Sequence, residues 1–400
     1  MPRFFLADPT LMSVSGHMWS YLQSLVRPVM GLGYQPVVLG NVRTHAVLRE
    51  EHGVVPAFEC WFDERFGAYR ETYAYHRQSI CSDLRTVSRA FSINRRDVVL
   101  LNTLRQWSLS GVVDWLEDLP VPQRPLVVML LHFTAFPDPE RDSDVLEFYQ
   151  DGFERIERSP ARSRIVLMAI TQELVDEYRQ INDRLTYLLA PLPFAQLRLP
   201  AALAKQGVNL GYVGEAKENK GFQFLPYLVR RVMASQYAAD AHFHIHSFCW
   251  DPNWTFFRHS LPQLVHPRVT LYPQMLDAQA YERLLSKLDV MVFPYTRQNY
   301  HVHLSGPFSE AMAQGKILVA PRGTWMARQL VEYGGGVVFN PGDVADLASR
   351  VLAVLSARDS YAAEGRTRAK RWCEFHNPER FLSLVMEHAD ASSRGARSAA

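Results

Sequence analysis

This 400-residue sequence predicts an α/β fold of two doubly wound units. Short apolar runs of strand length alternate with amphipathic helical stretches, the pattern of parallel sheets covered by helices. The alternation stops at Pro191, Pro193 and Pro200, within PLPFAQLRLP, and restarts beyond it. Prolines so closely spaced continue neither a helix nor a central strand, so a boundary falls there. The length agrees, since about 150 residues suffice for one such unit.

In the first half the apolar runs predict strands over residues 3–7, 36–39, 97–101, 126–132, 165–170 and 186–189, with helices over 16–30, 143–157 and 172–181. The first helix is closed by Gly31-Leu32-Gly33, and the third opens behind the capping residue Thr171. In the second half strands are expected over 209–213, 242–247, 269–272, 290–294, 317–320 and 336–339. Helices fall between them over 221–235, 278–286, 307–314, 325–333 and 344–356. Residues 359–387 carry no strand period and read as helix, broken where Asn377-Pro378 supplies a cap and a first-turn proline. The tail from Ser392 is small and polar and reads as frayed. The expected division is 1–195 for a first Rossmann-like domain, 196–370 for a second, and 371–400 for a helix returning to the first. Two such halves predict a cleft, with ligands at the carboxyl ends of both sets of strands.

Composition narrows the class. A 48% hydrophobic, 12% aromatic and 21% charged chain excludes wholesale disorder. Lys+Arg 43 against Asp+Glu 41 leaves +2, too little for a protein that neutralises many phosphates along a duplex, so nucleic acid is not an expected partner. Cys60, Cys81, Cys249 and Cys373 form no close pair, which writes neither a disulfide framework nor a zinc knuckle. The longest apolar run, residues 125–131, is far short of the roughly 20 residues of a membrane span. The amino terminus has only a four-residue apolar run before Asp8, too short for a secretory signal. The expected location is cytoplasmic, with peripheral contact at the inner face of a membrane left open.

Four segments carry candidate chemistry. Gly211-Tyr-Val-Gly214-Glu-Ala-Lys217-Glu-Asn-Lys220-Gly221-Phe222 follows the first strand of the second half and opens a helix. Glycines there let backbone N–H groups approach an anion, and Lys217 and Lys220 supply point charges suited to phosphate oxygens. A solvated turn with surface lysines fits the same spacing. In Val302-His-Leu-Ser305-Gly306-Pro307-Phe-Ser-Glu310-Ala-Met-Ala-Gln-Gly315, Pro307 starts a short helix, so Ser305 and Gly306 lie at its amino end, where free amides suit a phosphate. Glu310, one turn in, suits two neighbouring hydroxyls such as a ribose diol; the rival is an acid placed favourably near a helix start. Ser13-Val-Ser15-Gly16-His17 is a strand-turn-helix junction, with Ser15, Gly16 and His17 expected to face the cleft; a plain turn with a capping serine is the rival. His132 ends an apolar strand, the place from which a polar side chain reaches a ligand in an open α/β sheet.

Two other patterns have blander readings. His242, His244 and His246 alternate along a strand and share one face, but no carboxylate or cysteine signature accompanies them, so no metal site is expected. Basic residues at Arg85, Arg89, Arg95 and Arg96, and at Arg366, Arg368, Lys370 and Arg371, read as solvated helix faces, with an acceptor or anionic-lipid surface as the sharper alternative.

The Lys220-Gly221-Phe222 turn and the Ser305-Gly306 to Glu310-Ala-Met-Ala-Gln-Gly315 stretch resemble the donor-binding half of GT-B glycosyltransferases, most closely family 4 and related bacterial retaining enzymes. The resemblance implies a metal-independent transferase, with no cofactor, that moves a sugar from a nucleotide diphosphate-sugar donor to an acceptor hydroxyl of unknown identity. It implies Lys220 at the donor diphosphate, Glu310 at the nucleotide ribose, Ser305 and Gly306 facing the diphosphate, His132 beside the transferring sugar, and Gly16 near donor phosphate and acceptor. Gly214, Lys217 and His17 complete the expected site. Two departures stand out: Glu215 where the family commonly has an arginine, and Val302 where it commonly has a carboxylate that touches the donor sugar. They keep a noncatalytic binding scaffold in view beside a nucleotide-sugar epimerase or phosphorylase of the same fold.

Overall fold

The computed structural model describes residues 1–14, 17–59, 69–136, 144–194, 197–199 and 207–398. The chain divides into two compact units, Met1–Phe194 with His376–Ala400, and Ala195–Phe375.

The first unit holds strands β1 (Arg3–Ala7), β2 (Gln35–Asn41), β3 (Val55–Phe58), β4 (Val98–Leu104), β5 (Leu126–Leu131), β6 (Ile165–Ala169) and β7 (Tyr187–Leu189). They form one parallel sheet in the order β3-β2-β1-β4-β5-β6-β7. Burial explains the apolar runs. All residues of β4, β5 and β6 are buried, as expected of strands covered on both faces. Each large aliphatic side chain so buried contributes about 1.5–3 kcal/mol. The order reverses direction between β1 and β4, so this sheet has its topological switch point there.

The second unit holds β8 (Val208–Tyr212), β9 (Ala241–His246), β10 (Val269–Tyr272), β11 (Val290–Val292), β12 (Ile317–Pro321) and β13 (Gly336–Phe339), again all parallel, in the order β10-β9-β8-β11-β12-β13. Its switch point lies between β8 and β11. Helix starts follow local chemistry: Asp277 accepts from Ala280 N (2.7 Å), and Thr324 from Ala327 N (3.2 Å). In the first unit Thr171 accepts from Leu174 N (3.3 Å), the cap expected of it.

Several elements differ from expectation. β3 is a four-residue edge strand containing Pro56 with a single buried side chain, too little to show a period. Helix Tyr69–Phe91 was not expected, because His76 and Arg77 interrupt the stripe that Ile80, Leu84 and Val87 continue. The last helix, Pro378–Ser398, opens with Asn377 Oδ1 accepting from Arg380 N (2.7 Å) and continues through the tail expected to fray. Arg368 is not on a solvated face. It is fully buried, and its guanidinium donates to Gly335 O (2.6 Å), Gly334 O (3.2 Å) and Lys316 O, tying helix Arg358–Phe375 to the ends of β12 and β13. Arg85 is exposed but paired with Asp118, so part of the other basic cluster is already neutralised.

Candidate active site

The second unit's switch point gathers the predicted donor residues. The turn after β8 is not the start of a regular helix. Glu218–Lys220 and Phe222–Phe224 are single 3₁₀ turns, and the α-helix begins only at Leu225. Gly221 separates the two turns in the left-handed region (φ 70°), where a side chain is strained. Its contact matters more: a Cβ there would lie 1.9 Å from Pro294 O, so the glycine lets the turn press against the backbone that follows β11. Thr296 N donating to Asn219 O (2.8 Å) holds the same two loops together. Phe222 anchors the turn below, fully buried against Phe257 (5.4 Å between rings) and Tyr212 (5.8 Å).

That clamp delivers Lys220 to Gly214. The amine lies 3.5 Å from where a Gly214 Cβ would stand, and the Tyr295 hydroxyl 3.8 Å from it. Gly214 itself has φ 123°, a conformation few L-residues adopt. Burial lowers the Lys220 pKa, and repulsion from Lys217 adds to the effect. Tyr295 is buried, and burial raises the pKa of its hydroxyl against the lowering effect of a hydrogen bond with Ser305; Glu215 Oε1 and His246 Nδ1 are buried with no hydrogen-bond partner among the described residues. Buried polar atoms without partners are uncommon. Those of Glu215 and His246 belong to side chains that interact electrostatically with Lys220.

Lys217 pairs with Glu215 (2.8 Å), and the same carboxylate acts electrostatically on Lys220, so Lys217 is the more fully engaged of the two lysines.

Ser305 is the N-cap of helix Gly306–Ala313, its Oγ accepting from Phe308 N (3.4 Å) and its carbonyl from Ser309 N (3.0 Å). The Ser305 hydroxyl thus caps the helix, and Pro307 has no N–H to offer. The amide of Gly306 remains for an anion, with open space beside its Cα. Glu310, on the same helix, accepts from the Tyr281 hydroxyl (2.5 Å), a partner nothing in the sequence marked. Burial pushes the Glu310 carboxyl up to about 7, against the opposing effects of Tyr281 and of Arg198. Because the folded value lies above the ordinary carboxylate value, the proton's contribution to stability is complete below about pH 4.5 and is lost as pH rises through about 7.

Each of the three histidines of β9 makes at least one ring hydrogen bond to a neighbouring residue. His242 Nε2 meets Thr270 Oγ1 (2.8 Å), His244 bridges Tyr272 Oη (2.9 Å) and Asn209 Oδ1 (3.1 Å), and His246 Nε2 donates to Gln274 O (3.0 Å).

In the first unit, His132 follows β5 and is buried, with Nε2 3.1 Å from Asn102 Oδ1. Asp8, Thr10 and Thr103 complete a buried polar cluster at that sheet's own switch point. His17 opens helix His17–Gly31, and Ser15 and Gly16 lie outside the described residues.

Residues 207–357 match the family model described as Glycosyl transferases group 1. They form a glycosyltransferase domain. The matched stretch contains both segments built around Lys220 and Glu310. No curated protein matches the glycosyltransferase. Among solved structures, the sucrose-phosphate synthase of Thermosynechococcus elongatus is similar with a TM-score of 0.68 at 12% identity, over 100% of both chains. A UDP-forming trehalose-phosphate synthase from Burkholderia xenovorans has a TM-score of 0.68 at 13% identity, over 98% of this chain and 100% of its own. The N-terminal domain of a Candida albicans trehalose-6-phosphate phosphatase has 0.69 at 10%, over 98% and 97%. At such identities the likeness shows the fold, and the glycosyltransferase has a GT-B fold. Among its described residues no helix is long and apolar enough to cross a membrane.

Proposed function

We propose that this glycosyltransferase transfers a sugar from a nucleoside diphosphate donor to an acceptor hydroxyl with retention of anomeric configuration, needing no metal ion. The observation that carries the site assignment is the convergence of the Lys220 amine and the Tyr295 hydroxyl on Gly214, at the carboxyl edge of β8 and β11. Glycosidic cleavage places new negative charge on the departing diphosphate. A partly dehydrated ammonium stabilises that charge more than one in bulk water, and more in the transition state than in the ground state. The Gly306 amide adds a second donor. Gly214 gives the diphosphate room for close approach, and the Glu215 carboxylate limits Lys217 to a secondary part. Glu310, once ionised, accepts from the ribose diol in place of Tyr281.

The resemblance assigns His132 to the transferring sugar and Gly16 and His17 to the donor phosphate and acceptor; the place of His132 after β5 supports its part. Val302, buried, stands where the family commonly has a carboxylate. Its apolar side chain favours a same-face route, in which the leaving phosphate takes the acceptor proton, over a covalent glycosyl-enzyme. The unidentified acceptor, a cytoplasmic location and peripheral contact with a membrane's inner face belong to this proposal as well.

The test is product analysis with a panel of nucleoside diphosphate sugars and hydroxyl acceptors. A glycoside with the donor's anomeric configuration and free nucleoside diphosphate is expected. An inverted product overturns the same-face route, and an isomerised donor or a sugar phosphate replaces the reading by an epimerase or a phosphorylase. The carboxyl of Glu310 adds a pH signature. Affinity for the intact nucleotide sugar is expected to rise about tenfold between pH 6 and 8 as this group ionises. The Glu310→Gln variant is expected to bind weakly and without that slope. Equal slopes in the two proteins, read by titration calorimetry, would remove Glu310 from the ribose.

A further inference from the structure

We infer that Asn102 is a positioning residue that, braced by Asp8, holds the His132 imidazole with its proton on Nε2. The inference rests on the proposed place of His132 beside the transferring sugar.

The geometry leaves little freedom. Asp8 directly follows β1 and is fully buried. Its Oδ1 accepts from Thr10 N (2.7 Å) and Thr10 Oγ1 (2.6 Å), and its Oδ2 from Asn102 Nδ2 (2.6 Å) and Thr103 Oγ1 (3.0 Å). An ionised carboxylate only accepts, so the amide of Asn102 must turn its NH₂ toward Asp8 and its oxygen toward His132. That oxygen, 3.1 Å from Nε2, can only accept, so the ring donates from Nε2. The neutral imidazole thereby keeps its other lone pair on Nδ1.

The backbone is bent to make this possible. In a regular strand Asn102 and Thr103 would point to opposite faces. Here the β4–β5 register shifts between Leu101 and Leu104, and Thr103 takes φ 56°, so that both side chains reach one carboxylate oxygen. For a β-branched residue that conformation is strained, and such strain concentrates at functional sites.

Other titratable groups border the cluster. Tyr21, from helix His17–Gly31, sets its ring against His132 (6.3 Å between centroids) with its hydroxyl toward Pro191 O (3.5 Å). The Arg105 guanidinium lies over the Phe133 ring (3.6 Å). Burial raises Asp8 to about 6, against the lowering effect of its four donors. Below that pH a protonated Asp8 can itself donate, and the amide of Asn102 is free to reverse.

The experiment uses full-length protein with ¹⁵N-labelled histidine, His132 being assigned by its loss in His132→Ala. The expected wild-type signature is the Nε2–H tautomer at pH 7.5. Asn102→Ala is expected to lose that signature and to lower kcat about tenfold to a hundredfold with the donor KM little changed. Asp8→Asn, which keeps the shape and frees the amide, is expected to lose the signature too and stands in if Asn102→Ala does not fold. An unchanged tautomer in the variants overturns the inference. A lost tautomer with kcat within twofold overturns its part in the reaction. In that last case, full activity of His132→Ala shows that the proposed role of His132 has failed, whereas an inactive His132→Ala shows that only the positioning by Asn102 has.

Discussion

Replacing Lys220 with alanine is expected to lower kcat by about 10²–10³-fold, the usual effect of removing one preorganised donor from a developing anion. The argument is one of local charge. Glu215 forms its ion pair with Lys217 and acts on Lys220 through charge alone, without an ion pair. Lys220 is held next to Gly214 by a turn pinned through Gly221 and Phe222. Donor binding is expected to weaken less than turnover, since charge on the diphosphate increases as the bond breaks. Lys220→Arg is expected to recover little, because a planar guanidinium fork does not replace a compact ammonium in a fixed space. The measurement is steady-state release of nucleoside diphosphate, with the melting temperature of each variant as the check on folding. A fully folded Lys220→Ala enzyme within tenfold of wild type would show that the diphosphate is stabilised elsewhere. Glu215→Gln sharpens the same test. Freeing Lys217 from its ion pair is expected to raise donor affinity, and a fall would mean that the carboxylate itself contacts the donor.

Both sheets were legible because fully buried parallel strands leave continuous apolar runs, as Leu126–Leu131 and residues 98–101 do. Edge strand β3 lacks that signal, and the long helix Tyr69–Phe91 hides it behind His76 and Arg77. Motif spacing located Lys220, Ser305 and Glu310 but not what each side chain touches. Nothing in the sequence distinguishes Tyr281, which donates to Glu310, from other aromatic residues in amphipathic helices. Asp8 and Asn102 are 94 positions apart and meet only because β1 and β4 are neighbours in the sheet. Arg368 looked like surface charge because composition cannot report three carbonyl oxygens waiting for a buried guanidinium. Spacing therefore picks out the residues proposed to meet the donor, while the partners that set their charge and orientation come from distant strands and helices.

Gly221→Ala tests the link between fold and site and is expected to have the largest effect on stability. The sequence offers this glycine as part of a phosphate cradle, where adding a methyl would cost affinity alone. The structure gives it a different task. An added Cβ would meet Pro294 O at 1.9 Å and Pro294 C at 2.7 Å, both backbone atoms, and would sit on a residue at φ 70°. The left-handed conformation costs an alanine about 1–2 kcal/mol, and relieving such an overlap by moving backbone typically costs a further 1–3 kcal/mol. The sum, about 2–5 kcal/mol, lowers the melting temperature of a unit of this size by roughly 4–20 °C. The loop after β11 and the Lys220 turn must separate to accept the methyl, and with them goes the Asn219–Thr296 hydrogen bond. Donor turnover is therefore expected to fall together with stability, whereas Lys220→Ala lowers turnover alone. Gly214→Ala makes the contrast complete. A Cβ there meets the end of Lys220 at 3.5 Å and no backbone, so its cost comes from the strained φ of 123° and not from backbone overlap, and its effect on donor affinity is large. Thermal unfolding and donor titration of the three variants separate the roles. A Gly221→Ala protein that melts with wild type would show that the two loops are not clamped by this contact, and the placement of Lys220 would then need another cause.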